Sequence, residues 1–115
     1  MEKQYENYEC KKVLQAVHDA MDALNGKWKI AIIACLCYNK KRYSDILRDV
    51  NGISGKMLSR ELKEMETNLL LTRRVIISQP VTVEYELTEY GKNLKSVIEN
   101  LAEWGMEHRK CIMGR

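Results

Sequence analysis

No stretch of this 115-residue chain approaches the roughly 18 to 20 uncharged apolar residues that span a bilayer, and its start, MEKQYENYEC, lacks the apolar core of a signal peptide. A soluble intracellular protein is expected. Proline occurs once, at Pro80, and no linker, repeat or low-complexity segment interrupts the chain. With 45% hydrophobic and 30% charged residues, the composition is that of a globular protein, not a disordered one. Histidine occurs only at His18 and His108, neither with cysteine or carboxylate at a ligand spacing, so no metal is expected. Missing too are a glycine-rich phosphate loop and any Ser-His-Asp or Cys-His pairing, which argues against an enzyme and against a cofactor. The four cysteines (Cys10, Cys35, Cys37, Cys111) are even in number, but so apolar a chain can bury a core without disulfide staples, and reduced thiols are expected.

What is present is a length that suits one domain, residues 1–115, and an uneven charge. The net charge is only +3, yet residues 26–80 carry eleven Lys/Arg against five Asp/Glu, a net +6, between two mildly acidic flanks. A basic middle suits an anionic polymer. Apolar residues recur at helical spacing from Cys10 to Leu24, and Asn25-Gly26 ends that helix. KWKIAIIACLCY is apolar nearly all round and reads as a central helix. After the basic turn NKKR, Ser44 is placed to cap a third helix over 45–50, and Asn51-Gly52 breaks it.

A fourth helix, about 54–67 and capped by Ser54, sets Leu58, Leu62 and Met65 on one side and Lys56, Ser59, Arg60 and Lys63 on the other. That basic side is either a DNA-reading face or a solvated one with Glu61 and Glu64 as helical salt-bridge partners. LLLTRRVII and the alternating VTVEYEL read as an antiparallel hairpin, about 70–88, with SQP near its tip. Thr88 then caps a last helix, about 88–112, whose apolar stripe is wider than so small a domain needs for itself.

Three helices followed by a hairpin is the layout of a winged helix, in which the second helix of a pair enters the major groove. The successive segments LNGKWKIAIIACL, KRYSDILRDVNGISGKMLSRELKEME, TRRV, PVTVEYELTEYGKNL and AEWG resemble those of the HxlR-type winged helix-turn-helix regulators, from about Leu24 to Gly105. The expected fold is therefore mainly α with a small β-hairpin wing. The resemblance implies a cytoplasmic bacterial transcription regulator, a homodimer built through its first and last helices, on a palindromic double-stranded DNA operator. Family members respond to aldehydes, quinones, oxidants or unidentified signals, so a small-molecule or oxidant effector of unknown identity is implied. The alternative is a winged helix that binds an acidic protein partner and has no specific DNA site. Two positions depart from the family pattern. Leu69 stands where the family has glycine, which leaves Asn68 as the residue expected to turn left-handed. Cys10 lies seventeen residues before Lys27, farther than the sensing cysteine of the family's redox members.

The expected DNA contacts are Ser54, Lys56, Ser59, Arg60 and Lys63 on the recognition helix, Arg73, Arg74 and Gln79 (with Ser78) on the wing, and Arg42 (with Lys40 and Lys41) before the third helix. Trp28 and Trp104 are expected to pack. At least one of Cys35 and Cys37 is expected to be an inert core residue. Cys10 and Cys111, beside Lys11, Lys12, Arg109 and Lys110, are the candidates for redox sensing.

Overall fold

A computed structural model describes residues 9–114; the start of the chain, through Tyr8, lies outside the described residues. The order is α1 (Glu9–Ala23), α2 (Lys29–Leu36), β1 (Lys41–Arg42), α3 (Tyr43–Asp49), α4 (Gly55–Thr67), β2 (Leu71–Ile76), β3 (Thr82–Leu87), α5 (Glu89–Lys92) and α6 (Lys95–Met113). Gly26 (φ 86°) and Gly52 (φ 91°) adopt the left-handed conformation that ends α1 and the α3 turn, as the two Asn-Gly pairs implied. None of the helices among the described residues is long and apolar enough to cross a membrane.

The core lies where α2, α3, α4 and the sheet meet. Ile32, Ile33 and Leu36 of α2, Ile46 of α3, Leu58, Leu62 and Met65 of α4, and Leu71, Tyr85 and Leu87 of the sheet are all buried. Apolar positions three and four apart on α4 and two apart on β3 put these side chains on one face of each element. Trp28, Cys35 and Cys37 pack partly buried against this core. Burial pushes both thiols above the ordinary cysteine range, as suits inert packing residues.

Four expectations about the secondary structure need correction. The basic turn contains β1, so the hairpin is part of a three-stranded sheet in the order β1-β3-β2, with Lys41 opposite Tyr85 and Arg42 opposite Glu84. Two charged residues are too few to show a strand pattern in sequence. Ser44 does not cap α3: the helix begins at Tyr43, and Arg42 stands at its N-cap without a side-chain bond. Thr88 caps only the four-residue α5, accepting from the Gly91 amide at 2.9 Å. The chain then passes into α6 through a tighter turn, in which the Asn93 and Leu94 amides donate to Tyr90 O and Gly91 O at 3.2 and 3.1 Å, while Gly91 is pressed on the Leu70 backbone, where a Cβ would sit 2.1 Å from the carbonyl oxygen. Finally, Leu69, not Asn68, is left-handed, with φ 65° against −86° for Asn68.

That last turn is held by a small knot. The Leu70 amide donates to Met65 O at 2.9 Å, and the Thr88 hydroxyl donates to Leu69 O at 2.7 Å. The end of α4, the root of the wing and the start of α5 are thereby joined. The outer helices are packed differently: neither α1 nor α6 buries a residue fully. Among the described residues, Leu94 and Ile98 are the partly buried hydrophobics that pack the start of the last helix on the core. Leu14, Val17 and Met21 on α1, with Val97, Leu101, Trp104 and Met106 on α6, stay exposed. Trp104 therefore does not pack in this chain's core; it is 63% exposed and stacks on His108 at 4.9 Å.

Candidate nucleic-acid interface

Helix α4 starts as its sequence implies, with the Ser54 hydroxyl accepting from the Met57 amide at 3.1 Å. Its buried side is Leu58, Glu61, Leu62 and Met65, and Lys56, Ser59, Arg60 and Lys63 face solvent. Arg42, Tyr43, Ser59, Lys63, Glu66, Arg73 and Val81 border a groove of about 710 Å³ between α3, α4 and the wing. The antiparallel register separates the two wing arginines. Arg73 is opposite buried Tyr85 and shares its face, toward the groove, whereas Arg74 is opposite Glu84 on the other face. Ser78, Gln79 and Pro80 form the exposed tip, where the Gln79–Pro80 peptide is cis and the Ser78 hydroxyl donates to Pro80 O at 2.8 Å.

The cations divide into two groups by partner. Before α4, Lys40 pairs with Glu84 (3.6 Å), Lys41 with Asp49 (2.9 Å), Arg42 with Asp45 (3.6 Å), and Arg48 with Asp45 and Asp49 (3.3 and 3.2 Å). Among the described residues, Lys56, Arg60, Lys63, Arg73 and Arg74 carry no ion pair. Unpaired cations on one helix and the strand beside it leave their charge available to an anion.

One reason they are unpaired was not visible in sequence. Glu61 and Glu64 were the obvious partners for the basic side of α4, but both turn to Lys29 at the start of α2. The Lys29 ammonium is only 2% exposed and donates to Glu61 (2.5 Å), Glu64 (2.7 Å) and Asn25 (3.2 Å). Burial alone would lower its pKa, but the bonds and charges of the two carboxylates outweigh that and hold it above the ordinary lysine range. Lys29 in turn, with a smaller contribution from the Arg60 charge on the same helix, holds the Glu64 carboxyl below its ordinary range. The back of α4 is thus locked to the α1–α2 turn while its front stays cationic.

Tyr43, at the start of α3, is a second residue that the sequence did not single out. Its hydroxyl donates to Gly55 O at 2.9 Å and lies 3.1 Å from the Ser59 hydroxyl. Cys10 and Cys111 are exposed and free. No group of three or more His, Cys, Asp or Glu side chains among the described residues could hold a metal ion.

A helix-turn-helix pair (α3, α4) with an exposed cationic second helix, flanked by a wing, defines the winged helix-turn-helix transcriptional regulators. The chain belongs to the HxlR-like helix-turn-helix family, whose pattern matches residues 23–113. It is 37% identical over 106 residues to the uncharacterized HTH-type transcriptional regulator YtcD of Bacillus subtilis, covering 92% of this chain and 84% of that one. Two solved structures are also similar. One is the redox regulator HypR in its reduced form, with TM-score 0.78 and 31% identity, over 87% of this chain and 99% of that one. The other is the reduced form of the transcriptional regulator YodB from B. subtilis, with TM-score 0.67 and 37% identity, over 76% of this chain and 85% of that one.

Proposed function

We propose that the protein is a cytoplasmic regulator without catalytic activity that binds a palindromic DNA operator as a homodimer, with α4 in the major groove. The observation that carries this reading is the set of unpaired cations on α4 and β2, beside a basic turn whose own cations are spent on intramolecular pairs. Ser54, Lys56, Ser59, Arg60 and Lys63 supply base and phosphate contacts from the first turns of α4. Arg73 reaches phosphate from the groove, Gln79 reaches the minor groove from the wing tip, and Arg42 exchanges Asp45 for a phosphate. Arg74 grips the backbone from the outer face of the wing. The exposed apolar stripes of α1 and α6 supply the dimer surface, and the two recognition helices then stand roughly 34 Å apart, one turn of DNA.

The test is selection from a random duplex library, followed by titration of the enriched duplex against a scrambled one. An enriched site bound at least about 1,000-fold more tightly than the scrambled duplex is expected. Equal binding of the two would refute sequence-specific function. A redox signal is the reading that the exposed Cys10 and Cys111 thiols support, together with the similarity of the chain to a redox regulator. Diamide should then release the enriched duplex. Release that persists unchanged in a Cys10→Ser/Cys111→Ser protein would remove both thiols from the account.

A further inference from the structure

The proposed DNA-reading groove contains a hydrogen-bond relay whose polarity is fixed by counting protons. Gly55 O has no proton to give, so at 2.9 Å the Tyr43 phenol must supply the one in that bond. The phenol has no second proton, so the 3.1 Å contact between Tyr43 and Ser59 is made by the Ser59 proton, given to the phenol oxygen. Ser59 then faces the groove with lone pairs only. The phenol can come this close because position 55 has no side chain; a Cβ there would lie 3.3 Å from the Tyr43 oxygen. Both residues border the groove and Ser59 is exposed, one turn from the amino-terminal end of α4.

We propose that Tyr43 makes Ser59 an acceptor, so that the base Ser59 meets is one that offers an amino group in the major groove, adenine or cytosine. Adenine N6 and cytosine N4 are donors there, whereas guanine O6 and N7 and thymine O4 are acceptors. A guanine or thymine at that position would meet lone pair with lone pair, unless Ser59 gave up its bond to Tyr43. One hydrogen bond lost in a dry interface corresponds to roughly tenfold in affinity. Tyr43 is therefore a positioning residue: it acts on specificity through Ser59 without itself being required to touch a base.

The proposal rests on α4 reading DNA, and the experiment separates the two. Site selection from a random duplex library is run with the wild-type protein, Ser59→Ala and Tyr43→Phe, and each enriched set is sequenced. The position at which Ser59→Ala loses its preference is the Ser59 position. At that position the wild type is expected to favour adenine or cytosine by roughly tenfold. Tyr43→Phe is expected to relax it to all four bases while leaving the other positions of the half-site unchanged. The proposal is overturned if the wild type favours guanine or thymine there, if Tyr43→Phe keeps the wild-type preference, or if Ser59→Ala changes no position. No enrichment by the wild type at all would refute the DNA reading itself. Phenylalanine keeps the ring of Tyr43 and alanine at position 59 is exposed, so an unchanged thermal midpoint in both variants separates lost polarity from lost fold.

Discussion

Removing the Lys29 ammonium should be among the most damaging single changes to stability, and removing its partner as well should undo much of the damage. In Lys29→Met the aliphatic part is replaced by a side chain of similar length, but the carboxylate of Glu61, a residue only 8% exposed, loses the ammonium that donates to it. Breaking a buried ion pair from one side costs about 3–5 kcal/mol, because the remaining charge stays out of water without compensation. Glu64 is exposed and can turn to solvent, so it adds little to that cost. At roughly 4 °C per kcal/mol for a chain of this size, the thermal midpoint should fall by at least about 12 °C. In Lys29→Met/Glu61→Leu the orphaned charge is gone, and stability should return to within about 1 kcal/mol of the wild type. Urea unfolding at a fixed protein concentration reads both values.

The pH dependence follows from the shifts. The raised Lys29 contributes stability fully below the ordinary lysine range, lost as pH climbs through its raised folded value. The depressed Glu64 contributes above the ordinary glutamate range, lost as pH falls through its lowered folded value. The wild type should therefore be most stable between those limits. A Lys29→Met protein within about 1 kcal/mol of the wild type at neutral pH, or a double variant no better than the single, would refute the reasoning.

Two other outcomes are expected. Leu69 holds φ 65° with its side chain 69% exposed, so Leu69→Gly relieves left-handed strain and loses little packing; it should stabilise by about 0.5–1 kcal/mol in the same unfolding assay, and a loss would contradict the strain argument. Leu101→Lys puts a charge on the exposed stripe of α6, and in the proposed two-fold dimer it does so twice. Dissociation at least about 100-fold easier is expected by light scattering, and an unchanged assembly would place the interface elsewhere.

Periodicity read the helices well because a buried stripe must recur every three or four residues, and α1, α2 and α4 ended within a few residues of the expected places. It failed where three-dimensional contact decided. β1 exists because β3 offers it a partner edge, and α5 is cut from α6 by a tighter turn at Asn93 and Leu94 that leaves no mark on the apolar periodicity. In the same way, the exposed set Lys56, Ser59, Arg60 and Lys63 was legible from the helical angle alone. What Glu61 and Glu64 do was not, since their partner is 32 and 35 residues away. Arg73 and Arg74, adjacent in sequence, were separated only by the register of the strand.

The central claim is that a particular face, not positive charge in general, binds DNA. It is tested by comparing Lys56→Ala/Arg60→Ala with the charge-matched control Lys92→Ala/Lys95→Ala, whose lysines lie on α5 and at the start of α6. Affinity for a duplex enriched by the wild type is measured across salt concentration. The α4 variant is expected to bind at least about 100-fold more weakly, from two contacts in each subunit of the proposed dimer, with its salt slope reduced by roughly 2 to 4. The control should stay within about threefold of the wild type. Equal losses in the two variants, or none in the first, would contradict the account.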